Sequence, residues 1–265
     1  MKKTIAIIGI ALMSSLLFAH EYVMLAFKYN LQKGDTLEVH LFVADGFNIQ
    51  LERPIQKAII KKLELISENG TTDLLANQAD QTLPIVNRKV DFNGLGLIHM
   101  ERDYARIALP TTKFKEYIKE DHLENINVGN DIATKMQRER YTRYLKILVQ
   151  SGKDASSNLY NKIVGQNFEI LLMQNPYKLH KNDIIQAKIL FMGKPLANKM
   201  ITARNRMGSS NTMVQTARTN TNGVCAFKLL RKGEWFIHAT HMIPCLDKAD
   251  SDWESFWASY SFQVG

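Results

Sequence analysis

The sequence predicts a mainly β protein, with two β-sandwich-like domains, the C-terminal one immunoglobulin-like, and a short helical insertion between them. Three observations predict it. Apolar and polar residues alternate over short runs in both halves of the chain. Gly, Pro and Asn mark reversals about every ten residues from Asn167 onward, the spacing of an antiparallel sandwich. Only between Pro110 and Ser151 does the apolar period lengthen toward that of a helix.

The chain opens on Lys2-Lys3, an apolar run from Ile5 to Phe18, and the small residue Ala19. This order is that of a secretory leader over residues 1–19, cut before His20. Export to a Gram-negative periplasm is the expectation, with secretion as the second destination. No cysteine follows the cut to take a lipid anchor, and no later run reaches the roughly 18 apolar residues of a transmembrane helix. Loss of Lys2 and Lys3 takes the formal charge from +8 to +6. The remaining Lys and Arg are scattered, a solvated basic surface and not a nucleic-acid patch. At 265 residues the chain has room for two domains, and its two cysteines, Cys225 and Cys245, are too few to be a disulfide framework.

The N-terminal β domain is expected over residues 20–111, with strands at 22–26, 36–43, 58–67, 88–92 and 96–100. In the second of these Leu37, Val39, Leu41 and Val43 alternate against Glu38 and His40, which places His40 on the polar side, at the surface. Asn69-Gly70 supplies a tight turn. His99 and Glu101 lie two apart, on one face of a strand: a ligand pair, or merely the strand's solvent side.

The helical segment is expected over 112–150. Thr112 caps Phe114, Tyr117 and Ile118, and a second helix runs over 131–149 with Ile132, Met136, Tyr144 and Leu148 on one side. Glu139 and Arg143 are then an i, i+4 pair. A small, polar linker covers 151–166, and the immunoglobulin-like sandwich occupies 167–265. Its seven strands fall at 168–173, 183–191, 199–204, 213–218, 223–229, 234–242 and 256–264. If 230–233 is a hairpin loop, Cys225 faces His238 across it. His241 then ends its strand beside a loop containing Asp247, Asp250 and Asp252.

Cleavage before His20 would put a free amine and an imidazole on one residue, a bidentate chelate for a transition ion. His241 is the best second ligand, since a strand end beside an acidic loop admits an ion. Glu254, His99 and Glu101 are the further candidates. The plain alternative is that His20 only follows the cut and the others are satisfied polar groups.

Several blocks carry a resemblance. They are His20-Glu21-Tyr22, Leu31-Gln32-Lys33-Gly34-Asp35, Arg138-Glu139-Arg140-Tyr141-Thr142-Arg143-Tyr144, Asn175-Pro176-Tyr177, Gly193-Lys194-Pro195-Leu196, Thr219-Asn220-Thr221-Asn222-Gly223, His241-Met242 and Asp252-Trp253-Glu254-Ser255-Phe256-Trp257-Ala258. Together they resemble a bacterial family of exported domains of unknown function similar to the periplasmic component of cobalt and nickel ABC-type transport systems. The Arg-Glu-Arg-Tyr and Trp-Glu-Ser-Phe-Trp blocks are the specific ones. Tyr22-Val23 stands where that family has Phe-Trp.

The resemblance implies a periplasmic accessory protein for nickel or cobalt uptake, with a transporter permease as partner; copper and zinc suit the same imidazoles. The alternative is an exported sandwich module that binds a protein or glycan and has no metal role. A copper oxidation site ranks below both, because no acid, base or nucleophile constellation accompanies the histidines, and no enzymatic step is expected.

Overall fold

The structure is a computed structural model that describes residues 21–129, 135–153, 156–208 and 212–265. The first half contributes β1 (Glu21–Ala26), β2 (Asn30–Leu31), β3 (Thr36–Asp45), β4 (Asn48–Arg53), β5 (Ile60–Ser67), β6 (Gly70–Asp73), β7 (Val86–Lys89), β8 (Gly94–Arg102) and β9 (Ala105–Pro110). Helix α1 (Thr111–Glu120) and the long strand β10 (Met136–Ser151) follow. The second half holds β11 (Phe168–Leu172), β12 (Ile184–Phe191), β13 (Lys194–Pro195), β14 (Met200–Arg206), β15 (Met213–Arg218), β16 (Val224–Lys228), β17 (Gly233–Pro244) and β18 (Trp253–Val264).

These strands make a mainly β protein of two sandwiches that share a sheet. The shared sheet has ten strands, in the order β15-β14-β17-β18-β10-β8-β5-β6, with β2 and β9 also paired to β10. On one face lies the sheet β1-β3-β4 with β7, and between them a core of Met24, Leu37, Val39, Leu41, Leu63, Ile98, Leu145 and Ile147 among others. On the other face lies the sheet of β11, β12, β13 and β16, enclosing Phe168, Ile185, Ile201, Phe227, Trp235, Ile237, Phe256 and Tyr260.

All seven strands expected after Asn167 form. Lettered A to G, with β13 a short hairpin arm, they divide as A-B-E (β11, β12, β16) against C′-C-F-G (β15, β14, β17, β18), an immunoglobulin-like partition. The expected register between 223–229 and 234–242 is corrected. Cys225 lies beside Ala187 of β12, while His238 lies between Thr202 of β14 and Ser259 of β18. The loop 230–232 does not fold back within a sheet; it crosses from one layer to the other. Gly233 makes the crossing possible, with φ +106 and only 2.3 Å between a notional Cβ and the Arg206 carbonyl oxygen. Cys225 and Cys245 are both buried and free.

The second expected helix is also corrected. Residues 136–151 form β10, which runs parallel to β18 from Glu139↔Trp253 to Ile147↔Ser261. Positions 130–134 lie outside the described residues. β10 is buried on both faces: Leu145, Ile147 and Val149 enter one core, Tyr144 and Leu148 the other. Two-sided burial removes the period-two signal on which strand recognition depends. Charged residues that are in fact paired inside the sheet then looked like a helix's wet face. α1 starts at Thr111, with Pro110 at its N-cap and no side-chain cap there, so Thr112 does not cap it. Its Phe114 and Tyr117 pack with Leu109, Met242 and Trp257 over one end of the shared sheet.

One buried ion pair ties the second sandwich to β10. Lys146 Nζ lies 2.6 Å from Glu169 Oε1 of β11, both side chains 1% exposed, and also donates to the carbonyls of Lys162 and Ile170. Glu169 in turn accepts from the backbone amides of Val164 and Gly165. Burial pulls the Lys146 ammonium down to about 8. Breaking one side of such a pair leaves an uncompensated charge in the core. Lys146→Met should therefore lower unfolding free energy by about 3–5 kcal/mol, while the double change Lys146→Met with Glu169→Gln should recover a large part of it in urea denaturation.

Candidate functional site

The described residues expected to hold a metal, His99, Glu101, His241 and Glu254, are distributed over three strands, and no three of them are grouped around one point. His20 lies outside the described residues. Glu21, which follows it, is buried at the start of β1 and accepts from Arg204 Nε at 3.1 Å and from the Gly46 amide at 3.2 Å. His99 of β8 is 2% exposed, with Nε2 3.0 Å from Glu64 Oε2 of the neighbouring strand. Glu101, one alternation further, stands opposite Lys62.

Glu254 is fully engaged. Tyr104 donates to one carboxylate oxygen at 2.5 Å and Arg140 to the other at 2.7 Å. The acidic loop beside His241 is likewise occupied: Arg138 holds Asp252, and Arg106 and Arg140 hold Asp250. Asp247 accepts from amides of its own loop. Among the described residues no group of three or more His, Cys, Asp or Glu is placed to hold a metal ion.

His241 itself turns toward the second sandwich, its ring 4.4 Å from that of Phe191 and 6.0 Å from that of Phe168. Its Nδ1 is buried with no hydrogen-bond partner. It borders a cavity of about 500 Å³ shared with His122, Glu124, Asn198 and Lys199. Lys199 donates to the His122 carbonyl at 3.0 Å and is drawn down to about 8 by burial.

A larger cavity, of about 610 Å³, was not anticipated from the sequence. Its wall is assembled from the end of β1 with Phe27 and Tyr29, His40 and Phe42 of β3, Ile49 of β4, Arg206, Glu234 and Gln263. Phe27, just past the end of β1, is 77% exposed and stands edge-on to His40 with ring centroids 4.4 Å apart. Ile49 is 41% exposed, so the rim is apolar on the β4 side.

His40 corrects the sequence reading. It is buried, stacked on Phe42, with Nδ1 2.6 Å from Glu52 Oε1. A carboxylate accepts, so Nδ1 carries the hydrogen of this bond. The ring's Nε2 has no partner, and neither has the Tyr29 hydroxyl. Arg206 donates twice to Glu234 Oε2, at 2.9 and 2.6 Å, and stacks over Phe47. The nearest sequence signal for this site was Phe27, an aromatic placed where β1 gives way to a polar turn.

Two histidines are held neutral by their surroundings. Burial is the main cause in both, and each is pushed down to about 4; Lys146 and Lys62 add to it at His99, and Lys199 at His241. The unfolded chain binds these protons near pH 6.5, so their contribution is complete above 6.5 and is lost as pH falls toward 4. Glu139, raised to about 7 by burial, acts with the opposite sign in the same range. The melting temperature should fall on acidification through this window, and His241→Phe should flatten the fall; an unchanged profile in that variant would count against a neutral, buried His241.

No curated protein matches the chain. Among solved structures it is similar to the D0-D1 domain of intimin, at 15% identity over 91% of this chain and 97% of that one, with a TM-score of 0.22. It is also similar to a tetra-tandem repeat in the extending region of a large adhesion protein, at 9% identity over 92% and 49%, TM-score 0.22. Likenesses with TM-scores this low carry no argument about the chain. One family profile, a domain of unknown function, matches residues 17–243, and by that match the chain belongs to the DUF4198 family.

Proposed function

We propose that the chain is an exported binding module with no chemical step of its own, and that its ligand site is the cavity at the mouth of which Phe27 stands. The observation that carries this reading is the exposure of Phe27 and Ile49 around a concavity of about 610 Å³. Apolar side chains gathered at a cavity rim mark binding surfaces, and the volume lies within the roughly 300–1,000 Å³ typical of ligand pockets. The leader-like start of the sequence supports export, with His20 as the first mature residue. Phe27→Ser should leave the fold intact, because the ring is largely in solvent. Wild-type and variant proteins tested against immobilised oligosaccharides and purified envelope proteins should differ by about tenfold for a true ligand. Ligands bound equally by both proteins would remove the cavity from consideration.

A second reading retains one observation. His241 has an unpartnered, neutral imidazole nitrogen beside a cavity, the form in which a histidine takes a metal. With the terminal chelate of His20 this would serve nickel or cobalt uptake alongside a transporter permease. Under that reading, calorimetry on the mature protein gives micromolar Ni²⁺ or Co²⁺ binding that His241→Ala and a residue added before His20 each reduce sharply, and that His180→Ala leaves alone. No heat of binding in the wild type would end the metal role.

A further inference from the structure

We infer that the ligand of the Phe27 cavity is a neutral sugar ring, an inference that rests on the binding-module reading and gives it a chemistry. The charged side chains that line the wall are engaged with one another: Arg206 is taken up by Glu234. Behind the wall, Glu52 is held by His40. A charged ligand would have to compete with these pairs, or be desolvated with no counter-charge to meet it. A neutral one faces no such cost.

What the wall leaves unused is hydrogen-bonding capacity. The Tyr29 hydroxyl is buried without a partner, with the backbone of Ala26 close by. Burial, with Glu234 nearby, holds this phenol in its protonated form, so it is available to donate. His40 Nε2, its ring fixed by the bond to Glu52, also has no partner. Gln263, which accepts from Asn30 through Oε1 at 2.7 Å, lines the same cavity. Buried groups of this kind are costly in a native protein and are rare without a reason.

The ring hydroxyls of a sugar each donate and accept, and so match isolated donors and acceptors that have no strand-like repeat. The C–H face of the same ring fits against an aromatic side chain, and Phe27 offers one. An extended peptide would ask for a different surface: a row of backbone groups along a free strand edge. Tyr29 Oη and His40 Nε2 are both shielded from solvent, and Phe27 stands edge-on to the imidazole. Phe27 is exposed enough to turn on the timescale of surface rotamers, so the ring that stacks on the sugar is also free to move off the imidazole.

The test uses the mature chain and four probes: methyl glycosides of neutral hexoses, N,N′-diacetylchitobiose, glucuronate, and an apolar pentapeptide, read by saturation-transfer NMR and calorimetry. The neutral sugars should bind, and Phe27→Ala should weaken them about tenfold. Tyr29→Phe is the decisive variant. A hydroxyl that serves only as an unsatisfied buried group makes the variant more stable and leaves binding unchanged, which would overturn the proposal. A hydroxyl that meets the ligand gives an equally or more stable protein whose sugar affinity falls about threefold to tenfold. Glucuronate binding as tightly as the neutral sugars would also overturn it. If the peptide binds at Phe27 and no sugar does, the sugar is wrong and the binding module stands; if no probe binds, both fall.

Discussion

β10 and β18 lie side by side and parallel, each covered on both faces, and most of the molecule depends on that pairing. One face of β18 is Phe256, Ala258, Tyr260 and Phe262, all in the core of the second sandwich. Its other face carries Trp257, which packs with α1, and the buried small residues Ser255, Ser259 and Ser261. The serines let the first sandwich approach closely, and Ser259 donates to the Tyr22 carbonyl of β1 across the gap. β10 has apolar residues on both sides, so this one pair of strands contributes to both cores.

The two blocks that carry the sequence resemblance most specifically are adjacent in this ladder. Glu139, Arg140, Thr142 and Arg143 stand beside Trp253, Glu254, Phe256 and Trp257. Their side chains bond across the register: Arg140 to Glu254, Ser255 to Glu139, and Trp253 Nε1 to Gln137. Trp257 Nε1 closes the set by donating to Ser255, and Tyr117 of α1 reaches Glu139 from above. These blocks are therefore explained by the interior they build. A buried charge or indole needs every polar atom satisfied, which restricts what can stand opposite it.

The sequence was most legible where one face of a strand is wet. From Asn167 on, alternation and turn residues placed all seven strands, because β14, β15 and β16 keep a clear inside and outside. It was least legible in β10, where charged residues lie inside the sheet, and in the connection from β16 to β17, where only three-dimensional packing distinguishes a hairpin from a change of layer. The individual site candidates were real positions with unreadable partners. Glu254 could be placed on a strand, but Tyr104, which donates to it, is 150 residues away. The Phe27 cavity was beyond reach for the same reason. Its wall draws on β1, β3, β4, β14, β17 and β18, and no local pattern records which loops meet.

The parallel pairing has a consequence for the order in which the chain acquires structure. Arg140 of β10 and Glu254 of β18 are 114 residues apart. Loop-closure entropy must be met before contacts of that separation return anything, so folding dominated by them is slow. Until β18 arrives, β10 has an open edge and both sandwiches lack a wall. Closure of the two sandwiches is thus coupled: neither completes its wall until distant parts of the chain have met.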